Sequence, residues 1–182
     1  TKYDNPTNSL GDYYVGQRLG EIWGYTYDGV FENQAQLDAL NMVDIGNSNV
    51  GNNSYIGDIK FLDKNGDARI NSGKNTLDDH GDMDIIGNSY TQLPYSFDLN
   101  GSYKGFSLRV FLQGVGQKDW YPGGNHVYFW GIYAQPWTNV TVQNLDHWTP
   151  ENPGGYFPAV RAYAAEVSGR SLGAANDHYL QD

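Results

Sequence analysis

Residues 94–116 read PYSFDLNGSYKGFSLRVFLQGVG, a run in which apolar and polar side chains alternate on both sides of Lys104-Gly105. Successive side chains of a strand point to opposite faces, so the alternation predicts a β-hairpin with one apolar and one polar face. Phe111 is the exception, because it falls on the polar face. Each arm has about 10 residues, the length with which a tilted strand crosses a bilayer.

Alternation alone leaves two interpretations of this hairpin open. Tyr95, Tyr103 and Phe106 stand near the ends of the arms, where membrane-spanning strands carry aromatic girdles. An antiparallel sheet in water also alternates, with apolar side chains inside and polar ones outside.

The composition favours a β-rich chain with many loops. The 182 residues suffice for one domain with a sizeable core, and they include 15 Tyr, 5 Trp and 23 Gly. The formal net charge of -10 argues against nucleic acid as a partner, since nucleic acid requires a basic surface. The absence of cysteine excludes disulfides and thiol chemistry.

Shorter elements are predicted on the N-terminal side of the hairpin. Glycine-interrupted aromatic and β-branched residues between Tyr13 and Phe31 indicate bent strands, and 58–62 indicates a short strand. The segment 33–42, NQAQLDALNM, predicts a short helix capped by Asn33.

An acidic turn follows the strand predicted at 58–62. Asp63, Asn65 and Asp67 have the i, i+2, i+4 spacing of a calcium-binding loop, in which a tight turn directs three side-chain oxygens at one hard cation. The carbonyl of Arg69 would be a further ligand.

Two positions of the acidic turn depart from the calcium pattern. Ala68 stands where the turn normally requires glycine, and Lys74 stands where a bidentate carboxylate belongs. Asp78 or Asp79 would supply that carboxylate if 72–77 loops out. The alternative is a solvated turn in which Asp and Asn bond to the local backbone.

The order of several segments resembles the C-terminal portion of the SusC/RagA family of TonB-linked outer-membrane transporters. Each segment is weakly diagnostic, whereas their shared order over nearly the whole chain is specific. The segments are VGQRLGEIWGY (15–25), DGVF (28–31), the acidic segment 57–71, IGNS (86–89), YKGF (103–106), FLQGVG (111–116), WTPENP (148–153) and YLQD (179–182).

The resemblance implies an all-β fold, namely part of a 22-stranded transmembrane barrel with at most one or two short helices. All of 1–182 would belong to the C-terminal barrel domain, without the plug. Such transporters lie in the outer membrane of Gram-negative bacteria, with their loops facing the exterior. Energised by the TonB complex, which contacts the missing N-terminal part, they import oligosaccharides or peptides together with a SusD-like lipoprotein.

The resemblance also assigns places to segments of this chain. It makes 94–116 a transmembrane hairpin with a periplasmic turn at Lys104-Gly105, and it makes 44–93 and 117–170 extracellular loops. The polar face of the hairpin would line the lumen of the barrel, where charge is tolerated. That face carries Ser96, Asp98, Asn100, Arg109 and Gln113.

The segment 117–148 is rich in aromatic residues and is a candidate for contact with the ligand or the lid protein. Trp and Tyr stack on apolar sugar faces and are enriched at protein interfaces. The alternative is that the rings form the core of the loop itself, because aromatic side chains mainly bury area. The candidates are Trp120, Tyr121, Tyr128, Trp130, Tyr133 and Trp137.

Two other classes of function compete with transport. A soluble, extracellular glycan-binding β-module with a calcium-braced loop is the second hypothesis, and detergent dependence separates it from the first. Catalysis is not expected, because no nucleophile stands with a base and the four histidines lack metal-ligand spacing. No cofactor is expected apart from calcium.

Overall fold

The structure is a computed structural model that describes residues 5–40, 54–123, 126–134, 137–160 and 174–182. In these ranges the chain is mostly strand, with a few short helices. The strands are β1 (Glu21–Tyr25), β2 (Tyr27–Val30), β3 (Ile59–Phe61), β4 (Met83–Asn88), β5 (Gln92–Tyr103) and β6 (Phe106–Gln117), and the helices are α1 (Gln34–Ala39), α2 (Val127–Trp130) and the 3-10 turns Gly131–Tyr133 and Val142–Leu145.

The described strands pair as three antiparallel ladders of two strands each. β1 pairs with β4, β2 pairs with β3, and β5 pairs with β6. The predicted short strand at 58–62 is therefore present as β3. The region predicted as a loop at 44–93 contains both β3 and β4.

Helix α1 begins where the sequence predicts. The side chain of Asn33 accepts a hydrogen bond from the backbone N–H of Gln36 at 3.0 Å, and the helix buries Leu37. It ends at Ala39 rather than Met42, which lies outside the described residues. Within the described ranges, no helix has the length and apolar character needed to cross a membrane.

One hydrophobic core contains side chains from residues that precede the hairpin in sequence and from residues that follow it. Residues before it, such as Phe31, Phe61 and Ile70, are fully buried together with Phe157 and Tyr179, which follow it. The segment predicted as the loop 117–170 thus contributes buried side chains, in its described part, to the core of the molecule. We call this unit the body.

The body is closed by a contact between distant parts of the chain. Tyr25 in β1 forms a parallel bridge with Asn176, and its N–H donates to the carbonyl of Ala175 at 2.8 Å. Close by, the N–H of Tyr27 donates to the carboxylate of Asp177 at 2.8 Å, across a separation of 150 residues.

Strands β5 and β6 form a hairpin that stands apart from this core. Each has 12 residues, slightly more than the predicted arms, and every residue in them except Gly114 is exposed. Asp119, which is buried, fixes the base of the hairpin. Its carboxylate accepts from the N–H of Asn88 at 2.6 Å, and its own N–H donates to the carbonyl of Asn88 at 2.9 Å.

Candidate functional site

The register of the hairpin separates its side chains into two faces. Phe97 lies opposite Leu112, Leu99 opposite Val110, and Tyr103 opposite Phe106. Directly opposed residues share a face, so one face of the hairpin is a continuous apolar surface. The predicted alternation is therefore present as a surface. Its members are Tyr95, Phe97, Leu99, Gly101, Tyr103, Phe106, Leu108, Val110, Leu112 and Gly114.

The opposite face brings together all five residues predicted to line a lumen, namely Ser96, Asp98, Asn100, Arg109 and Gln113. At its centre the guanidinium of Arg109 binds the carboxylate of Asp98 through two hydrogen bonds, of 3.0 and 2.5 Å. Asn100 also donates to Asp98 at 3.0 Å. This polar face is hydrogen-bonded within itself, so its charges are already paired.

A tight turn sets the register of the hairpin. Lys104 and Gly105 join the strands as a two-residue loop with φ of 47° and 85°. Positive φ at both positions is the type I′ geometry, whose twist matches that of the flanking strands. Glycine suits the second position because it has no Cβ.

The structure divides the six aromatic candidates into buried and exposed rings. Trp130 is 0 % exposed and Tyr133 is 2 % exposed, and both belong to the core. Tyr121 is half-buried and packs against that core. By contrast, Trp120 is 44 %, Tyr128 91 % and Trp137 79 % exposed. Trp130 and Tyr133 therefore follow the alternative interpretation, in which the rings form the core of the segment itself.

The buried rings form a contiguous cluster around Trp130. Its indole lies 4.8 Å from the ring of Tyr179, edge to face, and its Nε1 donates to the carbonyl of Pro122 at 2.8 Å. The ring of Tyr133 stacks on Phe157 at 5.4 Å, and its hydroxyl donates to the carbonyl of Pro158. Burial raises the pKa of the Tyr133 and Tyr179 phenols above the ordinary value of 10.0.

Three of the exposed rings contact one another and lie on backbone that is held by hydrogen bonds or by the core. The ring of His126 lies 4.9 Å from that of Trp120 and 6.2 Å from that of Tyr128, edge to face in both cases. The backbone of Trp120 is paired with Gln181 in both directions, at 2.7 and 2.8 Å. Tyr128 lies in α2, which the burial of Trp130 anchors to the core. We call these three side chains the aromatic row.

Two of the three rings of the aromatic row, His126 and Tyr128, lie in a segment without charge, whereas Trp120 directly follows Lys118 and Asp119. Between Tyr121 and Leu145 there is no Asp, Glu, Lys or Arg, although the chain as a whole carries a net charge of -10. An exposed aromatic surface on a charge-free segment suits an uncharged ligand or the apolar surface of a partner.

The acidic turn folds as a set of nested side-chain-to-backbone bonds. The carboxylate of Asp63 accepts from the N–H groups of Gly66 and Ala68, both at 2.7 Å. The side chain of Asn65 accepts from Asp67, and that of Asp67 accepts from Arg69. Ala68 has the positive φ, 61°, that glycine normally supplies at this position. These local bonds are the ones expected for the solvated-turn alternative, and the positive φ of Ala68 is the feature that the turn shares with a calcium loop.

A residue that the sequence pattern did not reveal braces the acidic turn. Asp82 is 0 % exposed, and its two carboxylate oxygens accept from the N–H groups of Lys64 and Asn71, each at 2.9 Å. One side chain therefore ties both ends of the turn. Its place in GDMD, beyond the insert 72–77, gave no spacing signal that could have identified it.

Within the described residues, the two carboxylates predicted as further calcium ligands, Asp78 and Asp79, do not join Asp63 and Asp67 in a group that could hold a metal ion. Asp79 faces Lys74 at 3.4 Å, and Asp78 is exposed. Across the described residues, no group of three or more Asp, Glu, His or Cys side chains is arranged to hold a metal ion. Calcium therefore remains a sequence-based expectation for the turn formed by Asp63, Asn65, Asp67 and Arg69.

In comparisons with known proteins, the chain matches no family model, and no curated protein matches it at a significant level. The resemblance to the SusC/RagA family therefore rests on the sequence segments themselves.

Proposed function

We propose that this chain is part of the barrel of a TonB-dependent outer-membrane transporter of the SusC/RagA type. In this proposal the transporter imports oligosaccharides or peptides with a SusD-like lipoprotein, and this chain has no catalytic role. The observation that carries the proposal is the exposed apolar face of the β5–β6 hairpin.

The exposure of this face contrasts with the core of the body. That core buries Trp130, Phe157 and Tyr179, whereas Leu108 is 69 % and Phe106 82 % exposed on the hairpin. Apolar side chains this exposed and this contiguous mark an interaction with lipid or with another protein. A strand that lies between lipid and a polar lumen requires apolar and polar side chains to alternate along it.

The dimensions of the hairpin agree with a bilayer. Strands of 12 residues extend over roughly 40 Å, at about 3.3 Å per residue. A tilt of about 45° would give a height of roughly 28 Å, close to the hydrocarbon thickness of a membrane. Aromatic rings lie towards both ends of the apolar face, at Tyr95 and at the Tyr103–Phe106 pair.

The lipid contact can be tested with single-cysteine labelling, because the chain contains no cysteine of its own. Leu108→Cys places an environment-sensitive fluorophore on the apolar face, and Ser107→Cys places it on the opposite face one residue away. In vesicles of outer-membrane lipids we expect a blue-shifted emission at 108 and a water-like emission at 107. Equal, water-like emission at both positions would refute the proposal and favour a soluble glycan-binding β-module.

Ligand contact is proposed for the exposed candidates alone. Trp120 and Tyr128 present their rings to solvent from a supported backbone, whereas Trp130 and Tyr133 are committed to the core. We expect Trp120→Ala or Tyr128→Ala to weaken binding to a panel of neutral oligosaccharides without changing the circular dichroism spectrum. Tyr90→Ala, which removes an exposed ring elsewhere, is the control.

A further inference from the structure

A cavity of about 380 Å³ lies where the base of the hairpin meets the paired strands β1 and β4. Its wall contains the start of β1, the end of β4, the start of β5 and the end of β6. Its volume falls in the lower part of the range of roughly 300–1,000 Å³ that is usual for small-molecule sites. The cavity therefore suits a small ligand.

Charges of both signs line this cavity. Glu21 and Asp119 contribute carboxylates, and Arg18 contributes a guanidinium. In the part of the chain that the structure describes, none of these three side chains forms an ion pair. Opposite charges that share a cavity without pairing are available to a ligand that carries both charges itself.

Neutral groups hold the two carboxylates in place. The carboxylate of Glu21 accepts from the backbone N–H of Arg18 at 2.8 Å and from the hydroxyl of Tyr14. Asp119 is 2 % exposed, and its carboxylate accepts from the backbone N–H of Asn88, which is also the ladder partner of Glu21. Both carboxylates thus adjoin one residue. Neutral donors leave the charge of a carboxylate uncompensated, and an ammonium group of a ligand would compensate it.

Exposed apolar side chains complete the wall of the cavity. Ile85 is 48 % and Leu93 78 % exposed, and both line the cavity. Leu93 has a φ of 49°, a left-handed conformation that is unfavourable for a residue with a Cβ, and such strain is concentrated at ligand sites. An apolar group of a ligand would remove part of the area of both side chains from water.

We propose that this cavity binds a free α-amino acid with an apolar side chain. The ammonium group of the ligand lies with the carboxylates of Glu21 and Asp119, and its carboxylate accepts hydrogen bonds from the guanidinium of Arg18. The side chain of the ligand packs on Ile85 and Leu93. The inference uses the cavity alone and does not depend on a role in transport.

The probe is L-leucine, titrated into the complete chain in detergent micelles and followed by isothermal calorimetry. Two derivatives each remove one charge of the ligand: N-acetyl-leucine lacks the ammonium group, and leucinamide lacks the carboxylate. Glycine keeps both charges and lacks the apolar side chain. We expect all three compounds to bind more weakly than leucine by about tenfold or more.

Two variants assign the charges of the ligand to their partners. Arg18→Gln should weaken the binding of leucine by about tenfold and leave that of leucinamide within about twofold, because leucinamide has no carboxylate. Glu21→Gln should weaken leucine by a similar factor and leave N-acetyl-leucine within about twofold, because that compound has no ammonium group. Lys104→Gln, which removes a cation at the turn of the hairpin, is the control and should leave leucine binding unchanged.

Other outcomes overturn the proposal. If leucine does not bind, the cavity is not an amino-acid site. If either derivative or glycine binds as tightly as leucine, one of the three recognised groups is not recognised. If the dipeptide leucyl-leucine binds more tightly than leucine, the ligand is a peptide rather than a free amino acid. Because calorimetry detects a small ligand, its result is independent of the emission measured at positions 107 and 108 in vesicles.

Discussion

At the scale of single residues, the acidic turn shows how side chains replace regular secondary structure. Asp63, Asn65 and Asp67 each accept backbone N–H groups that no strand or helix satisfies. The sequence predicted this turn and its spacing, because Asx-type bonds are local. It could not predict Asp82, because that contact depends on how the chain returns after the insert 72–77.

Ala68 is expected to be a strained position. Its φ of 61° is unfavourable for a residue with a Cβ, whereas Gly66 has a φ of 77° without that strain. We expect Ala68→Gly to raise the free energy of unfolding by about 0.5 kcal/mol, once the greater freedom of glycine in the unfolded chain is subtracted. Urea titration measures it.

Gly66→Ala provides the opposite change in the same turn. A Cβ added there would meet no atom within 4 Å, so its effect comes from the backbone alone. We expect a loss of about 0.5 kcal/mol, because the smaller freedom of alanine in the unfolded chain offsets part of the strain. A stabilising Gly66→Ala, or a destabilising Ala68→Gly, would contradict this account of the turn.

Asp82 is expected to contribute most to the stability of the turn. Asp82→Asn replaces one acceptor oxygen by an NH2 group that faces a backbone donor, and it should lower the free energy of unfolding by about 2–3 kcal/mol. Asp84→Asn is the control, since Asp84 is exposed and pairs with Lys64 at the surface. Its effect should stay below about 1 kcal/mol. Similar losses in both variants would remove the special role of Asp82.

At the scale of elements, the hairpin and helix α1 were the most predictable parts. Both depend on local chemistry: alternation and a Lys-Gly turn in one case, and an Asn cap in the other. The short strands of the body were less predictable. β1 and β4 pair although Tyr25 and Met83, their nearest paired residues in sequence, are 58 positions apart (83 − 25). A register shift after Ile22 also interrupts β1.

The two faces of β6 should respond differently to charge. In vesicles, Leu112→Arg places a guanidinium in the middle of β6 on the face proposed to meet lipid, and it should cost roughly 2–4 kcal/mol. Gln113→Arg, one residue away on the polar face, should cost less than about 1 kcal/mol. Urea unfolding from vesicles measures both. Equal effects would show that neither face meets lipid.

At the scale of the whole molecule, the tryptophans that follow the hairpin fall into buried and exposed groups. Trp130 gathers Phe129, Phe157 and Tyr179 around it, while Trp120 and Trp137 stay at the surface. The sequence could not separate these tryptophans, because the segment 120–137 has no periodicity and the rings that bury Trp130 come from positions far along the chain.

The tryptophans should therefore differ sharply in their contribution to stability. Trp130→Ala should lower the free energy of unfolding by about 3–5 kcal/mol, because it leaves a large cavity and an unused carbonyl at Pro122. Trp137→Ala should change it by less than about 0.5 kcal/mol. Urea titration of both variants measures the difference. Comparable losses would place Trp137 in the core as well.

The buried tyrosines should make the body sensitive to alkali. Burial raises the pKa of Tyr133 and Tyr179 above 10.0, so their contribution to stability is complete below that value and is lost as pH rises through the folded-state pKa. We expect the phenolate absorbance of these residues to appear at the same pH as unfolding. Tryptophan fluorescence measures the unfolding. Tyr133→Phe should make the free energy of unfolding decrease less steeply as the pH rises. An unchanged pH profile would contradict this assignment.

The contact of Tyr25 and Tyr27 with residues 175–177 also governs the order of folding. The hairpin closes through neighbouring residues, whereas the body joins groups 150 residues apart, and closure over such a distance is slow. During synthesis the apolar face of β5 and β6 is therefore complete while the body is still open. We therefore expect a newly made chain to be prone to aggregation during that interval, and this expectation follows from the chain topology rather than from weak packing.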